Sequence, residues 1–358
     1  MNDVWRRFLE ERGARIEPST GAVLSFGDPA NEARAAARDG AIVDLSSRGV
    51  LRARGEEGDA FLQGQLTNDL EELDEESHGL GAYCSVKGRV ISVFRIFPSG
   101  GAWHFVLPRD VLGLTREKLE LYRMRAQVTF EDASDALVGA GVVGERPVAA
   151  LERTLGELPR RAGQARHAGG LSILRIEGEP PRFELIGESG EIEKIWRSVE
   201  AEAPAAGPAA WGLLDVRAGV PFVTAATSEA FLPQMLSLER IGGVSFEKGC
   251  FPGQEVVART QHLGAVKRRL YHARIQGGGT LPVSGAALRA MRDGSERDGG
   301  RVLAAYPSPD HGAEMLAVVP VAEAEGADEI RLGSAEGGKI ELLDDACPTP
   351  GGTGERER

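Results

Sequence analysis

SFEKGCFPGQEVVART, residues 245–260, sets a single cysteine between a lysine and a glycine-glutamine-glutamate helix start. Pro252 and Gly253 set a turn, and a helix opening at Gln254-Glu255 would put Glu255 at the positive end of its dipole. Glu255 and Arg259 stand at i, i+4 and can pair along that helix. Cys250 would sit just ahead of free backbone N–H groups and two residues from Lys248, and both features stabilise a thiolate. Gly249 and Gly253 let the backbone approach a partner or ligand closely. A nucleophile, a transient ligand or a redox thiol would use such a site. The plainer alternative is a small buried hydrophobe in a tight turn, because free cysteine is among the most buried residue types. A Cys/His hydrolase fits poorly: His262 lies twelve residues on, at the far end of the same helix, and no third member suggests itself.

The rest of the composition narrows the setting. A chain of 358 residues favours two or three domains. With 42% hydrophobic and 27% charged residues it reads as an ordinary globular protein. A net charge of -12 argues against direct nucleic-acid binding, which needs a basic face, although Arg160-Arg161 and Lys267-Arg268-Arg269 are local basic spots. Three cysteines, Cys84, Cys250 and Cys347, are too few and too far apart for a disulfide framework, and six scattered histidines offer no metal cluster. The charged start MNDVWRRFLEERGARI lacks the apolar core of a signal peptide, and no apolar run is long enough to span a bilayer. A cytoplasmic, membrane-free location is the expectation.

Along the chain, VLRAR at 50–54 alternates like a strand, and DAFLQGQLTNDL (59–70) is expected to be helical with Asp59 as its cap. GAYCSVKGRVISVFRIF is a hairpin turning at Lys87-Gly88, a two-residue turn, and AWHFVLP adds a strand. Asp110 can cap a helix with Val111, Leu114, Leu119 and Leu121 on its apolar face, and AQVTF follows as a strand. From about residue 136, a strand, a helix opened by Pro147, the hairpin LSILRIE/RFELIG and a helix carrying Ile192, Ile195, Trp196 and Val199 suggest a split βαβ, ferredoxin-like unit. AEAPAAGPAA reads as a linker. After Gly264, short strands between Gly-rich turns suggest a small barrel or sandwich. GAGVVG at 139–144 matches the dinucleotide pattern, but Val142-Val143 continue the strand and Pro147 starts the helix after the last glycine, so a plain strand–turn–helix is favoured.

KGCFPGQE, residues 248–255, resembles the K-G-C-[FY]-x-G-Q-E signature of YgfZ-type folate-binding proteins in the aminomethyltransferase (glycine-cleavage T-protein) superfamily. The similarity extends over WGLLDVRAGVPFVTAATSEAFLPQMLSLERIGGVSFEKGCFPGQEVVART and, upstream, over GDAFLQGQLTND and CSVKGRVISVFRIF. It implies an α+β fold: two α+β (ferredoxin-like/Greek-key) domains plus a small C-terminal β-barrel, arranged as a ring around a folate-sized hole. The boundaries expected are 1–132, 133–262 (which may interleave with the first), 263–346 for the barrel and a flexible tail at 347–358. It further implies tetrahydrofolate binding and support of iron–sulfur cluster assembly or repair, including for enzymes that modify tRNA. Folate, iron–sulfur assembly proteins and client enzymes are the partners implied. Cys250 and Lys248 would carry the chemistry, with Gly249, Phe251, Gly253, Gln254, Glu255 and Arg259 completing the motif.

Departures from the transferases limit the chemistry. Where they carry paired aspartates, this chain has Ser92-Val93, so no carboxylate can orient a methylene transfer. Their pterin-binding glutamate is replaced by Arg217, which cannot accept the pterin's N–H donors but can pair with a glutamyl carboxylate. Trp211 stands where these relatives have a folate-linked tryptophan, and its indole face suits a flat ring. A second such tryptophan falls near Arg48, and an arginine can also stack on a ring. Two other functions remain open: a folate-dependent one-carbon transferase on an unidentified amine, and a non-catalytic partner-binding scaffold.

Overall fold

The computed structural model describes residues 2–263, 266–275, 281–310, 312–334 and 336–345. A five-stranded antiparallel sheet has the spatial order Gly79–Cys84, Val90–Ser99, Ala102–Pro108, Arg48–Arg54, Thr129–Asp132. Its second strand is buried from Val90 to Phe97. Ile91, Phe94 and Ile96 face a core shared with helices Gly58–Gln63 and Arg109–Arg123, while Val93 and Phe97 enter two other cores. Burial on both sides explains the near-continuous apolar run VISVFRIF. The hairpin loop is one residue longer than expected. The Gly88 N–H donates to the Ser85 carbonyl at 2.8 Å and the Ser85 N–H to the Arg89 carbonyl at 2.8 Å, leaving Val86, Lys87 and Gly88 in the loop. Gly88, at φ +69°, takes the left-handed position that such a loop requires.

A six-stranded sheet has the order Ala165–Ala168, Leu171–Ile176, Arg182–Gly187, Val138–Val143, Ala41–Asp44, Ala205–Ala206. All its pairs are antiparallel except the last, Ala205–Ala206 on Ala41–Asp44. The strand 41–44 therefore belongs with residues 138–206, and helix Asp3–Glu10 packs into the same core through Trp5, Phe8 and Leu9. The cores follow the sheets, not a linear division at 132/133. The predicted helix face Ile192, Ile195, Trp196 and Val199 is the buried face of Ser189–Val199. Strand Val138–Val143 runs to its last valine and helix Glu145–Leu155 starts after Gly144, as the reading against a dinucleotide turn requires.

Strands Arg268–Ile275, Ala287–Arg292, Ser295–Pro307, Ala313–Pro320, Glu329–Leu332 and Lys339–Asp345 form a closed barrel. A core between barrel and first sheet joins Leu316 and Val318 to Ala82, Cys84 and Val93 through residues of the 216–257 segment. The tail expected at 347–358, with Cys347, lies outside the described residues.

Three local expectations are corrected. The helix of 59–70 ends at Gln63, and Asp59 does not cap it: its carboxylate accepts the Trp103 indole N–H at 2.7 Å. Asp110 lies inside the first turn of Arg109–Arg123, and Leu121 on the expected apolar face is 70% exposed, with Val111, Leu112, Thr115 and Leu119 buried instead. The AEAPAAGPAA linker supplies the edge strand Ala205–Ala206 and the start of helix Pro208–Arg217. That helix is buried from Ala210 to Val216, so it carries no amphipathic period for sequence inspection to find.

Candidate functional site

Helix Gln254–Leu263 opens directly after the Pro252-Gly253 turn. Gly253 has φ +80°, and a Cβ there would lie 2.4 Å from the Gly88 nitrogen and 2.5 Å from the Ser85 oxygen. The helix entry thus rests on the hairpin loop of the first sheet, bringing two separated sequence motifs into backbone contact. Phe251 and Val257 are buried beneath it, and the Val257 carbonyl accepts Gln234 Nε2 at 2.7 Å. Gln254 is half-buried, and its backbone N–H donates to the Phe251 carbonyl at 3.1 Å. Glu255 and Arg259 pair at 3.0 Å in solvent, where such a bridge is worth little. Gly249 and Cys250 are exposed. The buried-hydrophobe description belongs instead to Cys84, 1% exposed, whose thiol burial pushes up to about 12.

Lys248 points inward. Its Nζ donates to the carbonyls of Leu66 (2.8 Å) and Asn68 (2.6 Å) and to Gln63 Oε1 (3.3 Å). Burial draws its pKa down to about 8, with Asp69 and Glu71 acting against the shift. An ammonium has three donors, and three acceptors occupy them here, leaving none for Cys250. Lys248 therefore fastens the signature loop to the chain leaving helix Gly58–Gln63.

A cavity of about 510 Å³ opens where all three units meet. Arg48 and Arg109 line it from the first sheet and the helix that follows, Gly212 and Asp215 from helix Pro208–Arg217, Phe222 from the next loop and Tyr306 from the barrel. The Arg48 guanidinium lies 4.5 Å over the Phe222 ring, a cation–π contact. Gly212 is required by close approach, since a Cβ there would sit 2.2 Å from the Tyr306 ring. Asp110, also on the wall, accepts the Ala225 N–H at 3.0 Å.

Under the cavity runs a chain of buried ions. Arg48 pairs with Asp215 and, at 3.2 Å, with Glu184; Arg182 contacts Asp215 at 2.9 Å without hydrogen-bond alignment. Arg95 reaches Glu177 at 2.8 Å and the Nδ1 of His78 at 3.0 Å. Against the cost of burial, Arg95 draws Glu177 down to about 2. His78 Nε2 lies 3.0 Å from the Arg175 carbonyl. An arginine only donates and a carbonyl only accepts, so His78 is the neutral Nε2–H tautomer. Burial, then the neighbouring Arg95, lowers its pKa to about 3.

Trp211 and Arg217, the two residues expected to touch folate, do not line this cavity. Trp211 is 1% exposed in the core between the two sheets, with Arg182 4.9 Å over its ring and Gly141 beneath it. Arg217 faces the barrel, where Nη2 and Nε bind Glu314 at 2.6 and 3.0 Å. Glu314 also accepts from His272 and Ser308, and despite burial these partners hold its carboxyl well below the usual range. Arg217 thus bridges helix and barrel. Ser92 and Val93 are fully buried and bring no carboxylate to a surface. Of the wall residues, Asp110 was expected only as a helix cap, and the sequence singled out neither Asp215, Phe222 nor Tyr306. The family-like segment beginning at Trp211 contains both Asp215 and Phe222 and offered the signal for these two.

Two antiparallel-based α+β units and a closed barrel around a shared cavity define the aminomethyltransferase class of fold. The glycine cleavage system aminomethyltransferase T of Bartonella henselae superposes with a TM-score of 0.76 over 96% of both chains, at 15% identity. Among curated proteins, the "tRNA-modifying protein YgfZ" of Shigella boydii is 32% identical over 270 residues, 75% of this chain and 82% of its own. That of Colwellia psychrerythraea is 33% identical over 64% of this chain and 70% of its own. No family model matches the chain. The chain belongs to the YgfZ family.

Proposed function

We propose that this chain is a tetrahydrofolate-binding accessory protein supporting iron–sulfur cluster assembly or repair and the iron–sulfur enzymes that modify tRNA. The observation that carries this reading is the three-unit cavity, whose size and lining suit a reduced folate. Its volume, about 510 Å³, lies within the range of small-molecule sites. Phe222 and Tyr306 offer flat apolar surface, Asp110 and Asp215 offer acceptors for pterin N–H groups, and Arg109 offers a cation for a glutamyl carboxylate. When bound, folate would carry a one-carbon unit on its reduced ring. The protein's part is to hold and orient it away from water.

Cys250 is the reactive or transiently ligating group in this reading. It stands on a loop fixed by Gly253 and Lys248, exposed where a client or assembly partner can reach it. The relatives' name, tRNA-modifying protein, supports a role in tRNA modification, and the buried Ser92-Val93 pair speaks against aminomethyl transfer as the activity. Calorimetric titration with tetrahydrofolate tests the site. Saturable binding that Phe222→Ala weakens about tenfold is expected, and no binding at high micromolar folate defeats the folate assignment. In a strain lacking the protein, Cys250→Ala should fail to restore iron–sulfur enzyme activity; full restoration removes Cys250 from the function.

A further inference from the structure

The basic spot Arg160-Arg161 has no part in the cavity or the signature loop. It lies on a separate groove of about 790 Å³. Glu75, Glu76, Arg160, Arg161, Arg166 and His167 line it, with Arg166 and His167 leaving opposite faces of the edge strand. Strand Ala165–Ala168 is the outer edge of the six-stranded sheet, four positions from strand Ala41–Asp44, which leads into the central cavity. The groove is thus a distinct place in the fold.

Its groups are incompletely partnered. Arg160 pairs with Glu157 at 2.8 Å in solvent. The Arg161 guanidinium has no ion-pair or hydrogen-bond partner among the described residues, although its backbone N–H is fixed by Gln164 Oε1 at 2.8 Å. Arg166 is half-buried and, among the described residues, meets the carbonyls of Leu155 and Glu157, both through Nη1, and no carboxylate. His167 is held by Ser172 Oγ at 2.9 Å from Nδ1, and its Nε2 has no partner. One face of its ring stacks on Phe97 at 5.5 Å and 17°, and Phe97 stacks in turn on His104 at 5.2 Å and 11°. A rigid aromatic stack therefore ends in the groove wall.

We propose that this groove binds a nucleotide: the phosphate at Arg161 and Arg166, the ribose hydroxyls at the Glu75 and Glu76 carboxylates, and the base beside the His167 ring. Guanidinium groups without a carboxylate partner are the usual recognisers of phosphate, and carboxylates accept from ribose hydroxyls. A backed imidazole offers a stacking surface of the kind that holds unpaired bases. The carboxylates in the lining and the net charge of -12 disfavour a duplex footprint and favour one nucleotide, free or splayed from a single strand.

The full-length protein is titrated with AMP, with pyrophosphate and with a short single-stranded oligoribonucleotide. Saturable AMP binding is expected, weakened roughly tenfold or more by Arg161→Glu, an exposed substitution that leaves the fold intact. Tighter binding of the oligonucleotide than of AMP assigns the groove to an RNA strand, and the reverse order to a free nucleotide. Pyrophosphate binding as tight as AMP overturns the nucleotide assignment. So does the absence of saturation with every probe, or an unchanged affinity in Arg161→Glu. Tetrahydrofolate titrated against the same variant should bind as in the parent, which separates this groove from the folate cavity.

Discussion

The signature loop presents Cys250 to solvent on a turn fixed by backbone contacts, whereas the central cavity keeps Arg48 and Asp215 almost out of water on a chain of ion pairs. The loop needs no long-range charge balance, because Lys248 satisfies its donors with carbonyls and a side-chain amide oxygen. The ground beneath the cavity depends on such a balance: its arginines and carboxylates come from strands 48–54 and 182–187 and from helix 208–217, and loss of Asp215 leaves Arg182 without a carboxylate. An exposed reactive group is thus carried by local geometry, and a binding cavity by distributed electrostatics.

The comparison breaks most readily at Asp215. Asp215→Ala strands Arg182, 1% exposed, leaves Arg48, 11% exposed, with Glu184 alone, and should cost about 3–5 kcal/mol in urea unfolding. A loss under about 1 kcal/mol would mean that the cavity floor is not held by charge. On the loop side, Gly253→Ala forces a left-handed residue against the hairpin backbone and should cost about 2–3 kcal/mol. Lys248→Met leaves the Leu66 and Asn68 carbonyls without their donor and should cost about 1–2 kcal/mol. Lys248→Arg, which keeps charge and donors, should recover part of that loss.

The pH dependence sharpens the same contrast on the buried side. His78 binds its proton only near pH 3 in the fold but near 6.5 when unfolded, so the unfolded chain holds more protons between those values. Stability contributed by neutral His78 is full above about 6.5 and is lost as pH falls towards 3. His78→Gln cannot titrate, so its stability deficit against the parent should shrink across that window. A constant deficit would remove His78 from the acid response. The smallest effect on stability, and the clearest readout, is native-state alkylation: Cys250 should be labelled in the folded protein, and Cys84 only on unfolding. Equal labelling of both would contradict the closed core around Cys84.

Residues 248–255 were legible because their meaning is local. A cysteine, a Pro-Gly turn and a helix start lie within eight positions, and the structure keeps them in that order. Strand–turn–helix at 138–155 and the buried face of helix Ser189–Val199 were legible for the same reason, since periodicity records a single apolar face. Helix Pro208–Arg217 was not, because burial on every side erases the period. The family resemblance linked Trp211 and Arg217 to folate, and side-chain direction along one helix sets where each goes: Trp211 enters the core between the sheets, Arg217 turns to Glu314, and Asp215 takes the cavity wall. Local pattern alone determined the signature turn, the long apolar strands of the two sheets and the barrel's texture, but not the short strands 41–44, 165–168 and 205–206. The interleaving of strand 41–44 with residues 138–206 and the meeting of Arg48, Asp215, Phe222 and Tyr306 were decided by tertiary packing. Contacts between distant residues form only after both sheets and the barrel close on one another, and no short window of sequence encodes that closure.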